Sequence, residues 1–156
     1  MQRIVIGLLL ILSTQSYGAE YSFPLMPNPK TSPGGLCSTS DGHFTGYRYT
    51  IKIPVCRRHV TDGMKNQIYN DYGIPENCRR SYTIDHIIPL SIGGSNRYEN
   101  LWPEHRAVKA TRLQFEDEIH LMMEAGKINQ PDAVALTRRV KFNPAIQPGK
   151  NKGSCN

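Results

Sequence analysis

Apolar residues follow three rhythms along this chain. The first is a block. Ile4–Leu12 is almost unbroken, with Arg3 before it and the small residues Gly18 and Ala19 after it. A positive start, a short apolar run and a small-residue end describe a secretory leader over residues 1–19. The run is well short of the roughly 20 apolar residues of a membrane-spanning helix. The second rhythm is loose alternation. "HFTGYRYTIKIPV" at 43–55 predicts one or two strands, and the Ile-, Thr- and Tyr-rich Tyr82–Ile88 predicts another that Pro89 ends or pushes to an edge. The third rhythm is helical. Thr61 can cap a helix carrying Met64, Ile68 and Tyr72 on one face, with Gly73 and Pro75 as its stop.

Downstream, a turn over Ser91–Asn96 and a brief return strand at Leu101–Trp102 are expected. From Glu104 to Ala125 one long helix is predicted, since Val108, Phe115, Ile119 and Met122 share a face and Gly126 suits its C-cap. Pro131–Val140 predicts a further short helix with Pro131 in its first turn. These elements describe a small α+β domain over 36–142. A Pro- and Gly-rich irregular arm precedes it at 20–35, and a loop-like tail follows at 143–156. No repeat and no second domain is visible.

Composition adds compartment and charge. If the leader is cut after Ala19, taking 19 residues from 156 leaves 137, and losing Arg3 lowers the formal charge from +6 to +5. Surplus cations suit a polyanion such as nucleic acid. Cys37, Cys56, Cys78 and Cys155 all lie beyond the leader. An even count in a small exported chain predicts two disulfides with three pairings open, one of them tying down the tail if Cys155 takes part. Closely spaced CxxC pairs, the usual zinc signature, are absent from the sequence. The expected location is therefore periplasmic or extracellular, with no membrane attachment once the leader is removed.

The chemistry concentrates in "YTIDHIIPLSIGGSNRYENLWPEHR", Tyr82–Arg106. Asp85 is a hard oxygen donor and His105 a borderline nitrogen donor. Together they could hold one divalent ion, Mg²⁺ first, with Mn²⁺, Ni²⁺ or Zn²⁺ as alternatives. Two protein ligands leave open positions, which favours catalysis. His86 titrates near working pH and could act as a base. Asn100 cannot titrate, but its amide can pin a loop. One constraint opposes this reading. Neighbours on a regular strand point to opposite faces, so Asp85 and His86 can share a site only where the strand ends or distorts, and Pro89 makes a distortion plausible.

"IDHIIPLSIGGSNRYENLWP" resembles the HNH endonuclease motif of the ββα-metal superfamily, specifically small exported proteins reading DHxIPLxxGGSN…NLWPE. "YGIP" at Tyr72–Pro75 precedes the motif, and Lys109, Glu116 and Asp117 follow it. The resemblance covers residues 60 to 140 approximately. It implies a ββα core, His86 as the base that activates water, Asp85 as a metal ligand and Asn100 as the central positioning Asn. It also implies metal-assisted phosphodiester hydrolysis leaving 5′-phosphate and 3′-hydroxyl ends. The chain departs from the pattern at the last ligand. Nine residues beyond Asn100 stands Lys109, whose ammonium cannot coordinate a cation. His105 is the substitute ligand, while Lys109, Arg79 and Arg80 are expected to meet substrate phosphate. No base-reading element is present, so DNA, with RNA open, would be bound with little sequence preference. Two rival readings use the same scaffold: a nucleic-acid binder without turnover, and an extracellular interaction protein.

Overall fold

The computed structural model describes residues 20–143 and 145–154. The expected leader and Cys155 lie outside them. The elements run β1 (Glu20–Ser22), β2 (Phe44–Arg48), β3 (Ile53–Cys56), α1 (Asp62–Asp71), β4 (Tyr82–His86), β5 (Leu101–His105), α2 (Arg106–Lys109), α3 (Phe115–Glu124), α4 (Gln130–Lys141) and β6 (Lys152–Ser154). The protein is a small mixed helix-and-strand chain with short strands, in line with the class expected from its pattern. Strands pair antiparallel as β1–β6, β2–β3 and β4–β5. Among the described residues no helix is long and apolar enough to cross a membrane.

Several expectations hold locally. Thr61 caps α1 by accepting from the Met64 amide, and Ile68 is buried while Met64 and Tyr72 pack against the core. Asn129 caps α4, and Pro131 sits in its first turn. Others are corrected. The return strand is longer than Leu101–Trp102 and takes in Pro103 and Glu104. Pro103 is tolerated there because a two-stranded ladder leaves an edge that needs no donor. The single helix over Glu104–Ala125 does not exist. α2 gives way to a 3₁₀ turn at Ala110–Arg112, and α3 starts afresh at Phe115. Glu116, Asp117 and Glu118 fill the first turn of α3, where carboxylates are favoured by the helix dipole. Three consecutive acids were the overlooked start signal. The restart also moves the inward face: Ile119 and Met123 are buried, whereas Met122 is exposed.

Neither flank is a free linker. The arm at 20–35 is irregular but packed. Phe23 is buried, Ser32 donates its hydroxyl proton to the Leu101 carbonyl, and the Gly34 amide bonds the Glu99 carbonyl. The tail, expected as loop, supplies β6 as the partner of β1. Cys37 and Cys56 form a disulfide that ties the end of the arm to β3, and Cys78 is disulfide-bonded as well.

The loop joining β4 to β5 is closed by one side chain. Asn100 is fully buried. Its Oδ1 accepts from the amides of Ile88 (2.8 Å) and Gly35 (3.1 Å), and its Nδ2 donates to the carbonyls of Ile88 (2.9 Å) and Ser95 (2.8 Å). The turn between is glycine by necessity. A Cβ on Gly94 would overlap the Ile88 carbonyl oxygen, and Gly93 has a φ of +93° with Ile53 and Gln130 against it. Buried Ile87, Ile88, Ile92, Leu101 and Trp102 fix this hairpin against α1, α3 and α4.

Candidate functional site

The β4–β5 ladder sorts the motif residues by face. Asp85 stands opposite Trp102, and Thr83 opposite Glu104. Opposed residues of an antiparallel pair share a face, so Asp85, Trp102 and Glu104 lie on one side. His86, Ile84 and Tyr82, opposed by Leu101, Pro103 and His105, lie on the other. The strand stays regular through His86, and its end does not bring Asp85 and His86 together. The two side chains occupy separate environments.

The Asp85 face is a closed set of charges. Lys141, at the end of α4, reaches in with 1% of its side chain exposed. Its ammonium donates to Asp85 Oδ2 (2.9 Å), Glu116 Oε1 (2.7 Å) and the His86 carbonyl oxygen (2.5 Å). Lys109 Nζ lies 3.6 Å from Asp85 Oδ1 and 3.9 Å from Glu104 Oε2, and Arg112 is paired with Glu104. Asp85, Glu104, Glu116 and Asp117 line a cavity of about 150 Å³ together with Lys109 and Arg112. Burial pushes the Asp85 carboxyl up, but Lys141, a hydrogen bond with Glu104 and Lys109 outweigh it and hold the group well below the ordinary carboxylate range. Glu104 moves the other way, because burial and the charge of Asp85 outweigh Arg112 and Lys141. Glu104 is the member of the pair that takes a proton first.

The His86 face differs in kind. His86 is 3% exposed. Its Nε2 contacts Asn96 Oδ1 at 3.1 Å, and its Nδ1 contacts an Arg58 guanidinium nitrogen at 3.1 Å. Arg58 can only donate, so Nδ1 accepts and Nε2 carries the proton. The imidazole is neutral, its pKa lowered to about 4 chiefly by burial, with Arg58 adding to the shift and the Asn96 bond opposing it. Asn96 Oδ1 also accepts from the His59 amide, and Asn96 Nδ2 donates to the Arg57 carbonyl. Beyond Asn96 opens a cleft of about 360 Å³ whose walls include His43, His59 and Arg97, with the two imidazoles stacked at 4.0 Å. Arg58 is exposed and bonds only His86 and the Ile84 carbonyl among the described residues.

The remaining expected residues fall as follows. His105 does not approach Asp85. Its ring stacks on Phe23 at 3.8 Å, meets Tyr82 edge-on, and accepts from the Ala107 amide as the N-cap of α2. Arg79 is committed to α1, donating to Asn66 and Asn70 and lying over the Tyr69 ring. Arg80 is exposed. Lys109 faces carboxylates, and the Asn100 amide hydrogen-bonds backbone groups of Gly35, Ile88 and Ser95. Sequence reasoning missed Lys141, Glu104, Asn96 and Arg58. Lys141 had a signal: Ala133, Thr137 and Lys141 recur every fourth residue and form the buried stripe of α4, but the stripe is not apolar.

The expected divalent ion can be tested against this donor set. Asp85 gives Oδ2 to Lys141 and turns Oδ1 toward Lys109, His105 is on the far face, and among the described residues no three His, Cys, Asp or Glu side chains converge as a metal set. The residues as arranged fit ammonium groups and do not fit a divalent ion. No family model matches the chain, and no curated protein or solved structure does either.

Proposed function

We propose that this is an exported, HNH-type phosphodiesterase acting on nucleic acid, DNA before RNA, with little sequence preference. The ββα reading rests on chain order: β4, the loop held by Asn100, β5 and then α2. The observation that carries the function is the His86 face. A neutral imidazole there stands beside the Arg58 guanidinium, which has no carboxylate partner among the described residues, and Asn96 links the ring to a cleft walled by Asp41, His43, His59 and Arg97.

The chemistry follows from those partners. An incoming phosphodiester competes for Arg58, because a guanidinium binds a phosphate oxygen more strongly than a neutral nitrogen. Moving Arg58 onto the phosphate frees His86 Nδ1, which can then accept a proton from the attacking water. Asn96 keeps the opposite nitrogen protonated and fixes the ring. Arg58 and Arg97 offset the charge that builds on the non-bridging oxygens, and the departing 3′ oxygen takes its proton from solvent. Binding through phosphate alone makes affinity fall with added salt.

The test is cleavage of plasmid DNA and of RNA by the wild type and by His86→Ala, each in Mg²⁺, in Mn²⁺ and in EDTA. Turnover by the wild type with loss in His86→Ala supports the reading. A second reading, a nucleic-acid binder without turnover, is favoured by the saturation of Asp85 with lysines. Salt-sensitive DNA binding with no cleavage in any of the three buffers would establish it.

A further inference from the structure

We propose that the Lys141 ammonium is the resident cation of the Asp85 cluster, a tethered replacement for a divalent ion. The argument starts from the count of donors. An ammonium has three protons and no acceptor, and Lys141 Nζ has three oxygen partners: Asp85 Oδ2, Glu116 Oε1 and the His86 carbonyl. They come from two elements, β4 and α3, while the lysine comes from a third, α4. With two carboxylates and a main-chain carbonyl around one point, the set has the composition that hard cations take. Solvent does not share the point, since the lysine side chain is 1% exposed.

A surface lysine would gain little from such pairing. Here Lys141 closes the buried stripe of α4 formed with Ala133 and Thr137, so the fold itself delivers the charge. Lys109 lies 3.6 Å from the other Asp85 oxygen. Both oxygens of this carboxylate therefore face lysines. The cluster needs no metal in the wild type and becomes a candidate divalent site once the ammonium is removed.

This inference does not depend on nuclease activity, and its test does not read activity. Mn²⁺ is titrated calorimetrically, and followed by melting temperature, against the wild type, Asp85→Asn, Lys141→Ala and Asp85→Asn/Lys141→Ala. The expected result is no Mn²⁺ binding and no Mn²⁺-induced melting shift in the wild type. Lys141→Ala is expected to melt lower without metal, to bind one Mn²⁺ and to recover melting temperature with it, all lost again in the double variant. One-to-one Mn²⁺ binding by the wild type that Asp85→Asn abolishes overturns the proposal, as does a folded Lys141→Ala that binds no Mn²⁺. If Lys141→Ala does not fold even with Mn²⁺, the wild-type titration decides alone: silence supports the assignment and Asp85-dependent binding overturns it.

Discussion

Adjacent residues of β4 look onto two regions built on different plans. Behind Asp85, Lys141, Lys109 and Arg112 are each paired with acids of the cluster, and the central cation is sealed from water. Behind His86, a neutral ring is held by an amide and by one exposed guanidinium that an anion could recruit. The first region pairs its charges internally. The second is less committed: among the described residues no carboxylate reaches Arg58, and Asn96 borders an open cleft whose walls include both Asp41 and Arg97. Strand alternation alone creates the separation, since a one-residue step turns a side chain to the opposite face. The difference teaches that an Asp-His pair in a sequence is not a joint site until the backbone bends, and β4 does not bend through Asp85–His86.

The largest expected effect is on the balanced side. Lys141→Ala removes the nearest cation from a buried carboxylate, leaving only the half-exposed Lys109 beside it, and is expected to cost about 3 kcal/mol, measured by urea unfolding. Replacing both charges, as in Asp85→Asn/Lys141→Met, is expected to recover most of that loss. A double variant as unstable as the single one would break the account of the face as a matched pair. Next comes the Cys37–Cys56 bridge, which spans 19 residues. Its removal by Cys37→Ser/Cys56→Ser is expected to cost about 3 kcal/mol on loop-entropy grounds.

Of similar size is the pH response of His86. Its folded pKa, about 4, lies below the unfolded value of 6.5, so the unfolded chain binds the extra proton. Its contribution to stability is intact above pH 6.5 and is lost as pH falls toward 4, by about 3 kcal/mol in all. Glu104, raised to about 8, acts with opposite sign: its proton is bound in the fold first, so its contribution grows as pH falls from 8. Melting curves of wild type and His86→Gln between pH 4 and 7 isolate the imidazole term, and an imidazole titration by NMR with a midpoint near 6.5 would contradict it. The smallest effect is at the rim. Lys109 is 45% exposed, so Lys109→Ala is expected to change stability by about 1 kcal/mol or less.

How much of this was legible beforehand depends on what kind of signal carried it. The caps Thr61 and Asn129, the glycine turn and the strand at Tyr82 are local, and their chemistry can be read from a few neighbouring letters. Asn100 was legible as a positioning residue for the same reason. The split of the Glu104–Ala125 helix was not read, because apolar periodicity runs across the break, and only the acids at 116–118 mark the restart. The placement of His105 was not legible because its ring stacks on Phe23, eighty-two positions away. Lys141 was not legible for a related reason: a lysine at the end of a helix reads as solvated until the distant carboxylates it serves are known.

The central claim is that the His86 face, and not the Asp85 cluster, carries the reaction. It is tested most directly by rates of supercoiled-plasmid nicking for the wild type, His86→Ala and Lys109→Ala, with folding checked by melting temperature. The account predicts a loss of about 10²–10⁴-fold in His86→Ala and a near-wild-type rate in Lys109→Ala. A folded His86→Ala that nicks DNA at the wild-type rate would contradict it.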